Sequence, residues 1–157
     1  MNLTSRHWMM IAAAGSAALM LGALAFQHIG GMAPCKLCIW QRWPHVAAIA
    51  IGAVAALAIL PARLLAGLGA LAALTTAGIG AYHTGVERKW WEGPASCSGG
   101  SVGDQSAQDL FAQIMAAPLV RCDEVPWEML GLSMASWNAV ASLALAGIWL
   151  MAWRTAR

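Results

Sequence analysis

Four cysteines carry the chemistry of this sequence, and they fall into two pairs. The first is Cys35-Lys36-Leu37-Cys38, directly after Pro34. Thiols three positions apart at a helix start lie on one side of its first turn, and Pro34 favours an extended approach to that turn. The positive end of a helix dipole favours the thiolate, so a Cys-x-x-Cys pair placed there is suited to redox exchange. Arg42 follows Cys38 by one turn, on the same face. A guanidinium in an apolar stretch is costly unless it neutralises something. A thiolate at Cys38, or an electron-rich oxygen of a bound cofactor, would be that partner; the alternative is snorkelling to an interface.

The second pair, Cys97 and Cys122, lies in a longer and more polar segment. The run from Gly93 through Pro94, Ala95, Ser96, Cys97, Ser98, Gly99 and Gly100 to Ser101 is small and turn-forming, so Cys97 is expected to be accessible rather than packed. Beyond it Ala107, Leu110, Phe111, Ile114 and Met115 recur at helical spacing, with Asp104, Gln105, Gln108, Asp109 and Gln113 between them. This predicts a short amphipathic surface helix that returns Cys122 to the rest of the protein. A Cys97–Cys122 bond would close a loop worth roughly 3–4 kcal/mol in the chain-entropy picture. A purely structural staple is the competing reading of this pair.

The elements that position these thiols are set by composition. Of 157 residues, 60% are hydrophobic and 10% charged. A soluble chain of this size cannot hide so much apolar surface, because it buries only about 70% of what its unfolded form exposes. A soluble enzyme, a disordered chain and a nucleic-acid binder are excluded, and a net charge of +2 argues for no acidic partner. A bilayer core needs about 20 apolar residues per helix, and four stretches qualify, at about 8–29, 39–60, 64–82 and 133–153. Ser133 or Ser136 is placed to cap the last. Nothing alternates as a barrel strand must. The fold class is all-α: an integral membrane four-helix bundle, in one four-span domain over 1–157, with the amphipathic surface helix in its second long loop. The nine tryptophans cluster where the spans end, as an interfacial belt would.

Arg6, Arg63, Arg154 and Arg157 fall on one side of such a bundle, and Lys36, Arg42, Arg88, Lys89 and Arg121 on the other. The raw count decides nothing. The first group sits in short tails and a tight turn, where the positive-inside rule carries weight, so both termini are read as cytoplasmic. The run Ala23-Leu24-Ala25 imitates a signal-peptide cleavage site, but the apolar stretch continues to Ile29 and is long enough to span. The loops at about 30–38 and 83–132 then share the outer side. All four cysteines face that compartment, the bacterial periplasm or its equivalent, where disulfides persist.

Phe26-Gln27-His28, then Pro34-Cys35-Lys36-Leu37-Cys38-Ile39 with Arg42, resembles the disulfide bond formation protein B (DsbB) family. Tyr82-His83-Thr84, the second cysteine pair, and the run from Trp127 to Met134 followed by Trp137 extend the resemblance over nearly the whole chain. Lys36 is a departure, since family members carry Val or another residue there; it bears on the redox poise of the pair. The resemblance implies an inner-membrane thiol:quinone oxidoreductase that reoxidises a periplasmic DsbA-like thioredoxin-fold protein and passes the electrons to ubiquinone or menaquinone. It implies that the partner attacks Cys97, that Cys122 attacks Cys35, and that Cys38 is freed against the quinone. Arg42 and His83 would hold the quinone, with Gln27 and His28 as weaker candidates, and His7 and His45 as bystanders.

Two other classes compete. Four cysteines can form a structural zinc site, although Cys97 and Cys122 do not make the second Cys-x-x-Cys knuckle such sites usually use. His28, His45 and His83 near helix ends could ligate haem in a four-helix electron carrier, which leaves the cysteines unexplained.

Overall fold

The structure, a computed structural model, describes residues 4–94, 97, 108, 111, 115 and 120–156. Four long helices, α1 Ser5–His28, α2 Lys36–Leu57, α3 Ala62–Glu87 and α4 Met134–Thr155, form the bundle. They close in a ring in which each packs on the next and α4 returns to α1. Three of them, α1, α3 and α4, are apolar and long enough to cross a membrane by composition alone. The fourth, α2, has 22 residues but carries Gln41, Arg42, Pro44 and His45 in its N-terminal half. The protein is a membrane-embedded four-helix bundle.

Small residues let the backbones approach, as expected where lipid supplies no hydrophobic drive between helices. The inner core is built from Met9, Ala12, Ala48, Ala66, Ala73 and Trp149. Trp149 is wholly buried, which corrects its assignment to the interfacial belt. Gly69 of α3 faces its indole, and a methyl group there would collide with it. Trp153, one turn further on, does behave as an end-of-span residue, with the Arg63 guanidinium 4.4 Å above its ring.

Helix boundaries differ from the expected spans in two places. Helix α2 stops at Leu57 because Ala58 turns left-handed and caps it, three residues short of the expected Leu60. Helix α3 runs to Glu87 rather than Tyr82, so His83 and Glu87 stand on a helix and not in the loop. Ser133 caps α4, accepting from the Ser136 N–H. It is also the last residue of a two-stranded hairpin absent from the sequence reading, β1 Glu128–Met129 against β2 Leu132–Ser133. Leu130 and Gly131 both take positive φ in its turn, the geometry of a two-residue type I′ loop. The predicted surface helix lies almost wholly outside the described residues; of its positions, Gln108, Phe111 and Met115 are helical and exposed.

Candidate functional site

A second core sits at the end of the bundle where α2 begins and α3 ends, and it is made largely of sulfur. Cys35, Leu37, Val86, Cys97 and Cys122 pack together there. Cys97 and Cys122 form a disulfide, while Cys35 and Cys38 are free thiols. The Cys122 N–H donates to the Cys97 carbonyl at 3.0 Å, and the Cys97 N–H to Pro94 at 2.7 Å. Cys97 is 1% exposed. The expectation of an accessible Cys97 is therefore wrong: small, turn-forming neighbours in sequence do not keep a side chain exposed, and this sulfur is bonded to Cys122 and packed in the cluster that holds Val86.

Cys35 is the N-cap of α2 and accepts from the Cys38 N–H at 3.2 Å, so its sulfur replaces the usual hydroxyl or carboxylate cap. Its thiol donates to Cys38 Sγ at 2.7 Å. That contact, with burial second, pushes the Cys35 thiol well above its ordinary range. Little rearrangement separates this geometry from a disulfide.

His83 ties the two pairs together. Its Nε2 lies 3.1 Å from the Cys122 carbonyl and 3.6 Å from Cys35 Sγ. The Cys35 and Cys122 sulfurs and a His83 ring nitrogen all fall within 4.8 Å of one another. With Cys122 already bonded to Cys97, the four thiolates of a zinc site are not available in this state.

A cavity of about 360 Å³ opens between α1 and α4 with α2 behind it. Its walls are mainly apolar, from Leu19, Phe26, Met134 and Trp137, and Cys38, Arg42 and His83 border it. Such a space, apolar with a few convergent polar groups, is what a small-molecule site looks like. Arg42 donates to Gln27 Oε1 at 2.6 Å, so its observed partner is the amide on α1 rather than Cys38. His28 is exposed at the end of α1, and His7 bonds to Thr4.

This geometry, with two adjacent cysteine pairs beside an apolar cavity at one end of a membrane bundle, was compared with known proteins. The family model described as disulfide bond formation protein DsbB matches residues 5–152. The chain belongs to the DsbB family. Proteins named disulfide bond formation protein B are similar to it along most of their length. The one from Verminephrobacter eiseniae is 34% identical, covering 95% of this chain and 85% of the relative. That from Methylococcus capsulatus is 33% identical over 87% of each, and that from Stutzerimonas stutzeri 32% over 93% of each. Membership in the DsbB family makes this a membrane protein of disulfide bond formation with oxidoreductase chemistry.

Four polar residues of the site escaped the sequence reading. His45, set aside as a bystander, is buried, bonds through Nε2 to Asn138 at 2.9 Å and borders the cavity. Gln41 and Asn138 are joined across 97 residues of chain. Glu87, within the stretch expected to be a loop, buries its carboxylate beside His83 and accepts from the Ser133 hydroxyl. Each is a polar residue on an otherwise apolar helix, and that is the available signal: a buried polar group in a span needs a partner.

Proposed function

We propose that this protein oxidises a periplasmic DsbA-like dithiol protein and delivers the electrons to a membrane quinone, from the inner membrane with both termini cytoplasmic. The observation that carries the reading is the approach of the Cys35 and Cys122 sulfurs within 4.8 Å, which lets one cysteine pair oxidise the other. Disulfide exchange needs such an approach, because the attacking thiolate bonds directly to the sulfur it displaces from its neighbour.

A thiolate of the reduced partner attacks Cys97 and expels Cys122; the partner's second thiol then attacks the mixed bond and leaves as an oxidised protein. Cys122 attacks Cys35 of the oxidised inner pair, releasing Cys38 as a thiolate. Cys97 then attacks Cys122 and releases Cys35. Two electrons and two protons have moved inward, and the outer pair is again a disulfide.

The partner's pair is already a strong oxidant, near −120 mV, so the inner pair needs a sink more oxidising than glutathione. The cavity suits a quinone: its walls are apolar, it borders Cys38, and Arg42 keeps donors beyond the one given to Gln27. Bound there, a quinone supplies the acceptor for both electrons. Arg42 would hold one ring oxygen, Gln27 would hold Arg42, and His83 and His45 border the same space. The test is quinone reduction by purified protein supplied with a reduced DsbA-like partner. Stoichiometric loss of partner thiols and of quinone absorbance is expected; partner oxidation without quinone reduction overturns the assignment of the acceptor.

A further inference from the structure

We propose that Gln41 is a positioning residue that fixes the tautomer of His83, so that the histidine presents its Nε2–H to the sulfurs of Cys35 and Cys122 during their exchange. The proposal rests on the exchange reading above and adds what sets the proton at its centre.

Two backbone carbonyls pin the arrangement, because a carbonyl only accepts. The Cys122 carbonyl lies 3.1 Å from His83 Nε2, so the proton belongs on Nε2. At the other end of the contact, Gln41 Nε2 lies 3.3 Å from the Leu37 carbonyl and 2.9 Å from His83 Nδ1. That side of the amide must be its NH2, which leaves Nδ1 bare and accepting. The rest of the network agrees. Thr76 gives its hydroxyl proton to the Gln41 carbonyl at 3.0 Å. Its oxygen is then free to accept from Asn138 Nδ2 at 3.2 Å, and the same NH2 donates to Gln41 Oε1 at 2.8 Å. Asn138 Oδ1 accepts in turn from His45 Nε2. The Glu87 carboxylate, 3.8 Å from His83 Nε2, also favours a proton there. Orientations of amides and imidazoles follow from such networks as a whole, and one direction satisfies each of the contacts named here, with His45 Nδ1 left unpartnered among the described residues.

The consequence concerns charge. During exchange the negative charge sits on Cys122 when it attacks and on Cys35 when it is released. An Nε2–H within 3.6 Å of Cys35 Sγ can turn from the Cys122 carbonyl to the Cys35 thiolate as it is released, since hydrogen bonds to ions are the strong ones, and the Cys122 sulfur lies within 4.8 Å of the same ring. With Gln41 removed, the imidazole can place its proton on Nδ1. A lone pair would then face the same sulfurs and the Cys122 carbonyl.

The decisive comparison is between Gln41→Leu and Gln41→Glu. Leucine removes the donor to Nδ1. Glutamate preserves Nε2–H as the neutral acid, donating to Nδ1, or as a carboxylate paired with an imidazolium; a carboxylate beside a neutral imidazole would instead draw the proton to Nδ1, so the tautomer is read by nitrogen NMR in this variant too. The step is read without quinone, by mixing oxidised protein with excess reduced DsbA-like partner, quenching in acid and following the appearance of the Cys38 thiol. Gln41→Leu should slow it about tenfold, and Gln41→Glu should stay within about threefold of wild type, scaled from the strength of a hydrogen bond to a charged group. Nitrogen NMR of labelled histidine in the wild-type protein should show His83 protonated at Nε2. Equal slowing in both variants while Gln41→Glu keeps Nε2–H, a Gln41→Glu protein at the wild-type rate with its proton on Nδ1, or Gln41→Leu at the wild-type rate, overturns the proposal. Should Gln41→Leu fail to insert, the NMR measurement decides, and an Nδ1–H tautomer refutes it. A wild-type protein that never transfers electrons from the outer to the inner pair refutes the exchange reading instead.

Discussion

Replacing Arg42 with methionine separates a quinone-binding guanidinium from a merely tolerated one. Arg42 is half-buried in α2, spends one donor on Gln27 at 2.6 Å, and has no carboxylate within ion-pair distance among the described residues. Its guanidinium carries five N–H donors, so others are free to meet an oxygen in the cavity. A hydrogen bond from a charged donor contributes about 1.5–3 kcal/mol, which converts to a roughly 10- to 150-fold rise in apparent KM for quinone. The same substitution removes an unpaired charge that costs about 2.5–3.5 kcal/mol at the centre of a span and less near its end. The variant should therefore unfold no more easily than wild type, and a loss of quinone use cannot be charged to misfolding. The assay is steady-state quinone reduction over a range of quinone concentrations, alongside quenched-flow exchange between the partner and the Cys97–Cys122 disulfide. Exchange should be spared, because it occurs at sulfurs that Arg42 does not contact. Lysine should restore part of the activity, as a point charge without the planar fork. Normal quinone dependence in Arg42→Met would refute the argument and reduce Arg42 to a snorkelling residue held by Gln27.

Each of Cys35, Cys38, Cys97 and Cys122, changed singly to Ser, should abolish steady turnover while leaving insertion intact, measured as quinone reduction per membrane-inserted protein. An impermeant thiol reagent applied from the periplasmic side should label Cys97 and Cys122 after reduction; labelling from the cytoplasmic side alone would reverse the topology. Gly69→Ala should lower stability by about 1–3 kcal/mol, seen in detergent unfolding, because the added methyl collides with the buried Trp149 ring. Asp123, next to Cys122, is held well below the usual carboxylate range by Arg121 and Lys89. Its clamp is present above about pH 4 and is lost as pH falls below that. Asp123→Asn should accordingly speed phosphine reduction of the Cys97–Cys122 disulfide severalfold at pH 7, with the two proteins converging in acid.

What the sequence disclosed, and what it withheld, divides along a physical line. The spans were legible because hydropathy is a property of contiguous residues, and the Cys-x-x-Cys pair because its geometry lies within one helical turn. Even the misplaced end of α3 has a local cause: Thr84 and Glu87 are polar, and the helix continues through them because each finds a partner on the last helix or its cap, Thr84 with Ser136 and Glu87 with Ser133. Cys97 was misjudged for the opposite reason. Its neighbours in sequence describe how freely the backbone turns, whereas its burial is decided by Cys122 and Val86, which are distant in sequence.

The polar network was the least legible part, and it is the part that connects the two thiol pairs to the cavity. Gln41, Asn138 and His45 each cost something to bury in a membrane helix, and each meets that cost only through another helix. An apolar residue at Gln41 would be the simpler choice for a span, but it would leave His83 Nδ1 and the Asn138 NH2 without these partners. The same substitutions that would make α2 a better transmembrane helix would thus unfix the histidine beside Cys35. The weak hydropathy of α2 and the chemistry at its outer end have one origin: this helix is polar where the sulfurs need a proton held in place.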